Sequence, residues 1–252
     1  VTEAAGKLRP AELQISEDMT GAAALVKDTR KPEVFDSGLR LIKAVDTETG
    51  KTLGSLLSWG NHPETLWSKN LLVSSDYPHF FREYVEKGVY HGDSLVKSGT
   101  GGTAVFVNGA LGGLMCTHPS LAVVHPFTGE ELKEPSYEKA DAEGKILALA
   151  TLTAMENPVE VIDSAAISLV VKTVPLKIDN TLFKLGAALG VMKRGTAGWM
   201  NMRSELAVAQ IGPVSFVTIP GEIYPELVNG PVDAPEGNDF GIQPVEVPVI
   251  RD

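Results

Sequence analysis

The sequence is poor in several features that define large classes of protein. It has a single cysteine, Cys116, so an intrachain disulfide is impossible and a disulfide-stapled fold is excluded. No apolar run approaches the roughly 20 residues of a membrane-spanning helix, so we expect no transmembrane segment, and no signal peptide is visible. Basic residues are in the minority, with 22 Lys and Arg against 32 Asp and Glu and a formal net charge of −10. Such an acidic surface repels phosphate backbones, so we expect no nucleic-acid partner.

What is present suits a globular protein. The chain has 252 residues, enough for one large domain or two small ones with a sizeable core. It starts at Val1 rather than Met, so we expect that a leader or a longer N-terminal region is absent from this sequence. The patterning divides the chain into a polar segment at 1–36, which predicts irregular structure, a domain at 37–228, and an extended tail rich in Pro and Gly at 229–252.

The central part alternates strand and helix signals. Apolar alternation after Gly38 and again from Leu53 to Trp59, with a turn signal between, predicts a hairpin. The other predicted elements are strands at 103–107, 165–177, 205–210 and 214–219, helices at 76–87, 136–156 and 180–192, and a long loop at 117–135. This order predicts an α/β fold, with α+β as the alternative, in which helices flank a mixed β-sheet in one catalytic-type domain. In such folds ligands gather at loops that leave the strand ends.

His62 lies in one such loop, directly after the second strand of the hairpin. Pro63 ends the pairing and favours extended geometry at His62. Imidazole nitrogen is a common zinc ligand, and its other ring nitrogen needs a hydrogen-bond partner, for which Asn61, Glu64 and Asp76 are candidates. A lone histidine at a strand end is also typical of a hydrogen-bonded structural residue, so its position leaves both roles open.

Glu222 follows another predicted strand, in the segment Ile219-Pro-Gly-Glu222. The glycine allows an unusual turn that presents the carboxylate at the edge of the sheet. A glutamate in this position can bind a metal, act as a general base or start a short helix, and the sequence leaves these roles open.

A third loop, Asn108-Gly-Ala-Leu-Gly-Gly113, consists of small residues. Glycine N–H groups can hold an oxyanion or a phosphate, although no Gly-Lys-Ser/Thr follows as in a P-loop, and a tight turn after a strand is the alternative. Cys116 and His118 lie close by in the sequence and raise a Cys–His nucleophile hypothesis, but a loop does not fix their geometry.

Four motifs occur in a characteristic order: Asn-His-Pro-Glu, Ser-Ser-Asp-Tyr-Pro, Ala-Val-Phe-Val-Asn-Gly-Ala-Leu-Gly-Gly and Ile-Gly-Pro-Val-Ser-Phe-Val-Thr-Ile-Pro-Gly-Glu. Over most of residues 28–228 the chain resembles the neutral/alkaline (non-lysosomal) ceramidase family and its bacterial ceramidase-like relatives. The resemblance implies a mixed α/β catalytic domain and a zinc-dependent amidase that cleaves the N-acyl bond of ceramide, a small-molecule lipid. It also implies a secreted or periplasmic protein.

The resemblance further implies a site. The family holds zinc with two histidines, a glutamate and a tyrosine; its His-Pro motif falls on His62 and its Pro-Gly-Glu motif on Glu222. The other histidine and the tyrosine fall before and after this chain, so we expect missing N- and C-terminal segments of the same protein to complete the site. Asn108, Gly109 and Gly113 are expected beside the scissile amide, with backbone amides of residues 109–113 around the oxyanion.

One departure affects the expected mechanism. When the chain is aligned on Phe106-Val-Asn108 and on Gly112, the aspartate of the family's Asn-x-Gly-Asp-x-Ser-Pro segment becomes Gly113, its serine Met115 and its proline Cys116. Methionine is neither a nucleophile nor a general acid, whereas zinc-activated water remains a route because zinc lowers the pKa of bound water to about 7. The alternatives are a non-catalytic relative that binds a lipid or carbohydrate and a metal-dependent esterase or phosphoesterase.

Overall fold

The strand, turn and capping signals are followed closely by the structure, a computed structural model that describes residues 2–31, 33–113, 115–191 and 201–229. The strands are β1 Ala11–Asp18, β2 Lys27–Asp28, β3 Leu39–Asp46, β4 Thr52–Trp59, β5 Gly88–His91, β6 Ser94–Ser98, β7 Thr103–Asn108, β8 Met115–Cys116, β9 Val123–Val124, β10 Glu131–Leu132, β11 Glu160–Ile162, β12 Ile167–Lys177, β13 Asn201–Ile211 and β14 Val214–Thr218. The helices are α1 Thr2–Ala5, α2 Tyr77–Lys87, α3 Tyr137–Ala154, α4 Thr181–Ala188 and α5 Glu226–Asn229, with a 3-10 turn at Ala23–Leu25. The prediction of an α/β fold with a mixed sheet is confirmed.

The chain divides into two units. Unit 1 comprises Val1–Asp163 and Ile223–Asp252, and unit 2 comprises Ser164–Glu222. The boundary therefore falls inside the domain expected at 37–228, between β11 and β12.

A five-stranded mixed sheet, ordered β11-β1-β3-β4-β7, is the frame of unit 1. β3 and β4 pair antiparallel with Leu41 opposite Leu57, as the predicted hairpin requires. β4 and β7 pair in parallel with Trp59 opposite Asn108, and the long connection between them contains α2. Because parallel neighbours end at the same edge of a sheet, the loop with His62 and the loop after Asn108 leave this edge side by side.

The prediction that residues 1–36 are irregular is wrong for β1, which lies inside the main sheet. β1 pairs with β3 along its whole length and with β11 on its other side. Leu13 and Ile15 alternate with the polar Glu12 and Gln14, so the strand pattern is present, but its apolar content is low. The predicted loop at 117–135 likewise contains a short hairpin of β9 and β10.

Helices α2 and α3 begin where the capping signals place them. The Asp76 side chain accepts from the Tyr77 N–H, and the Ser136 hydroxyl accepts from the Lys139 N–H. α2 ends at Gly88, whose N–H bonds to a carbonyl of the last turn. Local chemistry therefore defines both helices before any packing is considered.

The two helices pack closely because Gly144 has no side chain. A Cβ at this position would lie 2.5 Å from the Cβ of Phe80 and 2.8 Å from the backbone nitrogen of Phe81. Neither atom is the end of a flexible chain, so Gly144 sets the separation of α3 from α2.

The core of unit 1 lies between these helices and the sheet. Leu39, Leu41, Leu57 and Trp59, from β3 and β4, are at most 2% exposed. The ring of Tyr77, at the start of α2, meets Trp59 edge-on with centroids 5.4 Å apart. Fully burying a large apolar side chain contributes about 1.5–3 kcal/mol, so this layer holds in place the strand that leads to His62.

Unit 2 is a three-stranded antiparallel sheet, ordered β12-β13-β14, with α4 between its first two strands in the chain. Met202 is the one buried side chain among the described residues of this unit. Ile167, Leu169 and Val170 are 64–76% exposed, and Leu182 of α4 is 77% exposed. Exposed apolar surfaces of this kind mark contacts with other protein segments.

The predicted tail at 229–252 falls on residues 230–252 beyond α5, which lie outside the described residues, so it stays a prediction. Within the part of the chain that the structure describes, no helix combines the length and the apolar composition needed to cross a membrane.

Candidate functional site

The imidazole of His62 is held in one orientation. The His62 N–H donates to the Met115 carbonyl at 3.1 Å, and Nδ1 of the ring lies 2.6 Å from the same oxygen. A carbonyl oxygen only accepts, so Nδ1 carries the proton and donates. In the neutral form of the ring the lone pair is then on Nε2. This is the tautomer that binds a metal through Nε2.

The partner of Nδ1 was expected among the side chains of Asn61, Glu64 and Asp76, and that expectation is wrong. The partner is the backbone carbonyl of Met115, far away in the sequence. A backbone carbonyl leaves no trace in the residue types, so the sequence held no signal for it. His62 also forms an isolated bridge with Cys116, which fixes the loop after β4 against β8.

Asp76 serves the backbone of the same loop. Its carboxylate accepts from the N–H groups of Thr65, Leu66 and Tyr77 at 3.2, 2.9 and 2.7 Å. Its own φ is +58°, a conformation that costs a non-glycine residue on the order of 1–3 kcal/mol. The three N–H donors compensate for this strain. Asp76 therefore folds the loop after His62 onto the start of α2.

A buried carboxyl group adjoins this loop. Glu143, on α3, is 0% exposed, and its oxygens lie 2.5 Å from Thr65 Oγ1, 2.6 Å from Thr117 Oγ1 and 3.3 Å from Asn61 Nδ2. Burial raises the pKa of Glu143 to about 8, although the hydrogen bonds between its carboxyl and the two threonines act in the opposite direction. The hydrogen-bond partners of the carboxyl are neutral, and its burial favours the protonated form.

The loop after β7 uses part of its backbone within the chain. The Gly109 N–H donates to the Trp59 carbonyl at 2.9 Å, and the Gly112 N–H donates to the Ile223 carbonyl at 2.8 Å. These two amides are engaged and do not contribute donors to an oxyanion site. Gly109 nevertheless holds the two loops close together at the edge of the sheet.

Asn108 and Gly113 occupy the two ends of that loop. Asn108 is exposed at the end of β7. Gly113 has a φ of +102°, and the guanidinium of Arg30 occupies the place where a Cβ would be. A side chain at position 113 is excluded on both grounds.

Arg30 connects this loop to the chain that follows Ile223. Its guanidinium lies 2.8 Å from Asp28 and 3.3 Å from Glu226, and it stacks over the ring of Tyr224 at 4.9 Å. Asp28 is fully buried. Arg30 falls within the segment that the sequence predicts to be irregular, so this cluster was not predicted.

The Cys–His hypothesis is not supported. Cys116 is buried, and desolvation raises the pKa of its thiol to about 12, with the charge of Glu64 adding to the shift. The reactive form of a cysteine is the thiolate, which this site disfavours. His118 instead interacts with Ser120, at 2.8 Å from Nδ1. Met115 is also fully buried, so core packing is its role.

Glu222 is exposed and belongs to unit 2, whereas His62 belongs to unit 1. The next residue, Ile223, belongs to unit 1 and is bound by Gly112. Among the described residues, no three His, Cys, Asp or Glu side chains converge as a metal site. The prediction that His62 and Glu222 share a zinc ion stays a prediction.

A cavity of about 420 Å³ opens beside the loop that follows His62. Its walls come from that loop, namely Pro63, Glu64, Leu66, Trp67, Ser68, Asn70, Ser74 and Asp76. At the tip of the same loop, Leu71 and Val73 are almost fully exposed. The loop therefore combines a cavity whose walls are both apolar and polar with an apolar tip.

Sequence reasoning missed Glu143 altogether. Lys139 and Glu143 are spaced i,i+4 on a predicted helix, which is the usual pattern of an exposed ion pair. In the structure both are fully buried, and Lys139 donates instead to the carbonyls of His118 and Lys133. The only available signal was the small, apolar surroundings of Glu143 between Ala142 and Leu147.

Two solved ceramidase structures share this fold. The crystal structure of a neutral ceramidase from Pseudomonas aeruginosa matches with a TM-score of 0.62 and 12% identity, over 88% of this chain and 42% of that chain. A ceramidase complexed with C2 matches with a TM-score of 0.61 and 12% identity, over 88% of this chain and 43% of that chain. The resemblance seen in the sequence is thus confirmed for the fold.

The chain spans less than half the length of these two structures. Comparisons with models of protein families and with curated proteins find no match.

Proposed function

We propose that the chain is part of a zinc-dependent hydrolase that cleaves the N-acyl amide bond of a ceramide-like lipid. The observation that carries the proposal is the contact of His62 Nδ1 with the Met115 carbonyl, which fixes the ring and places the lone pair of the neutral imidazole on Nε2. It occurs in a fold shared with ceramidases, at the position where the family resemblance expects a zinc ligand.

His62 and Glu222 are the proposed zinc ligands from this chain. An imidazole nitrogen and a carboxylate oxygen fit the donor set of zinc sites with an open position for substrate. When bound, zinc supplies polarisation of the carbonyl and a water nucleophile at neutral pH. The remaining ligands are proposed to come from N- and C-terminal segments of the same protein outside this chain, which spans 42% of the ceramidase structure.

The other groups of this chain would bind and orient the substrate. We assign Asn108, exposed at the end of β7, to donate a hydrogen bond to the amide oxygen. Gly109 and Gly113 shape the loop, since one is bonded to Trp59 and the other leaves room for Arg30. The buried Met115 leaves no hydroxyl for a serine-assisted step, so the proposed mechanism relies on water.

A lipid substrate accords with the loop that follows His62. Its tip carries Leu71 and Val73, which are 94% and 107% exposed, next to the cavity bounded by Trp67. Exposed apolar side chains beside a cavity suit an acyl or sphingoid chain. A secreted or periplasmic location is part of this proposal, by analogy with the family.

Met115 also favours a second candidate, a non-catalytic relative that binds a lipid without cleaving it. Its side chain is 0% exposed in the core, at the position where the family has a serine. Such a protein would keep the cavity and lose turnover.

Turnover of paired substrates separates these functions. The full-length protein that contains this chain is incubated with an N-acyl sphingosine and with an O-acyl ester of equal chain length. We expect fatty acid release from the amide, lowered about 100-fold in Asn108→Ala, which removes an oxyanion donor, and unchanged in the exposed control Asn157→Ala.

Release from the ester alone would point to an esterase. Binding of the lipid without release of fatty acid would point to the non-catalytic relative.

A further inference from the structure

Glu143 joins the two backbone segments that hold His62. Thr65 and Asn61 lie on either side of His62, in the loop after β4. Thr117 follows β8, whose Met115 carbonyl receives the Nδ1–H of His62. The Glu143 carboxyl reaches both segments from α3, with Thr65 at 2.5 Å and Thr117 at 2.6 Å.

Each hydrogen bond of this cluster has a donor hydrogen when the Glu143 carboxyl is protonated. Thr117 Oγ1 lies 2.7 Å from the Leu25 carbonyl, which only accepts, so the single hydroxyl proton of Thr117 is used there. The Glu143 O–H then donates to Thr117 Oγ1, which also accepts from Asn61 Nδ2 at 3.0 Å. The other oxygen of Glu143 accepts from Thr65. Each of these contacts thus has one donor hydrogen and one acceptor.

The charged groups nearby do not replace these contacts. Lys139 lies one turn earlier on α3, but its ammonium donates to the carbonyls of His118 and Lys133. The Asp76 carboxylate accepts instead from three backbone N–H groups. Glu143 therefore acts through neutral hydrogen bonds rather than through an ion pair.

Stability alone does not explain a carboxyl at this position. Burying a carboxyl group without a charged partner is costly, and an apolar side chain of similar volume avoids that cost. The contacts it makes are instead directed to the loop that contains His62 and to the segment whose carbonyl binds its ring.

We propose that Glu143 is a positioning residue that clamps the loop at 61–65 to the segment at 115–117 and so keeps the Nδ1–H of His62 on the Met115 carbonyl. The consequence for metal binding rests on the proposed function, whereas the clamp itself does not. Glu143 is not a catalytic residue, because its partners are buried protein groups.

The test observes the His62 ring directly by NMR of the ¹⁵N-labelled 252-residue chain without metal. The Nδ1–H signal is assigned by its loss in His62→Gln. In Glu143→Ala we expect this proton to exchange with water at least about 10-fold faster than in the wild type, because the clamp is lost.

Two controls separate positioning from general loosening. Glu143→Gln keeps an oxygen for Thr65 and an N–H donor for Thr117, so it should retain the wild-type signal. Thr151→Val removes another buried polar group from α3, one whose hydroxyl has no partner among the described residues, and should also leave the signal unchanged.

An unchanged exchange rate in folded Glu143→Ala would overturn the proposal. If that variant does not fold, Thr65→Val and Thr117→Val test the proposal instead, because each removes one contact of the clamp. Exchange at the wild-type rate in both variants would equally overturn the proposal. A protein without metal or turnover would refute the proposed function and leave this result intact.

In the full-length protein, a separate readout is zinc affinity. Loss of a group that orients a ligand typically costs 10- to 100-fold in affinity, and we expect about 10-fold for Glu143→Ala and no loss for Thr151→Val.

Discussion

Phe81 and Phe183 lie in helices of similar sequence pattern, one in each unit, but their side chains differ in burial. Phe81, in α2 of unit 1, is 0% exposed, whereas Phe183, in α4 of unit 2, is 53% exposed. Both helices follow an Asp or Asn cap, and both units contain apolar strands. Unit 1 covers its sheet with α2 and α3, while unit 2 leaves Leu169 and Val170 largely in water. Local patterning thus forms elements in both units, but among the described residues only those of unit 1 form a second layer that buries them.

The largest predicted effect comes from removing the two phenylalanines. Phe81→Ala should lower the free energy of unfolding by about 3–5 kcal/mol, because it leaves a cavity in a closed core. Phe183→Ala should lower it by less than about 1 kcal/mol, because the ring is half in water. Chemical denaturation followed by circular dichroism measures both. Equal losses would mean that unit 2 has a core of its own.

A pH dependence specific to unit 1 should follow from Glu143. Burial raises the pKa of its carboxyl from 4.5 to about 8, with the charge of Asp76 adding to the shift and that of Lys139 opposing it. Between these values the folded chain binds a proton that the unfolded chain has released, so stability falls as the pH rises. We expect this loss, on the order of 5 kcal/mol, to be absent in Glu143→Gln.

The measurement is the difference in unfolding free energy between wild type and Glu143→Gln at several pH values from acid to above 8. The difference should change in favour of the variant as the pH rises and then level off. A constant difference would show that folding leaves the pKa of the carboxyl unchanged.

The packing of α2 on α3 gives a smaller effect. Gly144→Ala should destabilise the chain by about 1–3 kcal/mol, since the added Cβ meets Phe80 and the backbone of Phe81. Alanine is otherwise the better helix former, which offsets about 1 kcal/mol of that loss. Thermal unfolding compares the variant with wild type. A gain in stability would imply that the helices can move apart freely.

The smallest effect is expected on the sheet of unit 2. Leu169→Ser replaces a side chain that is 64% exposed, so the unfolding free energy should stay within about 0.5 kcal/mol. Binding of an apolar dye should decrease at the same time. A loss of several kcal/mol would show that Leu169 is covered in the isolated chain, contrary to the contrast between the units.

The fold was predictable where its signals are local. Asp76, Ser136 and Gly88 defined two helices, and alternation defined β3 and β4, because caps and periodicity depend on neighbouring residues. β1 was missed because it has few apolar side chains and is a strand through its pairing with β3, which is distant in sequence. Nothing local indicated that β12 to β14 would form a separate unit.

The motifs of the site were predictable from the sequence, but the groups that orient His62 were not. His62 was found because Pro63 and the strand end are visible in the sequence. Its partner is a backbone carbonyl, which any residue could supply, and so Met115 was considered only for its side chain. Glu143 was missed because its i,i+4 spacing with Lys139 is typical of a solvent-exposed ion pair. Only the structure shows that both side chains are buried.

The central claim is that His62 presents Nε2 to a zinc ion, and the metal content of the purified full-length protein tests it most directly. Elemental mass spectrometry should find stoichiometric zinc in the wild type and in the exposed control His79→Gln. Zinc should be largely lost in His62→Gln and in Glu222→Gln. A wild-type protein free of divalent metal, or a His62→Gln variant that retains its zinc, would contradict the account.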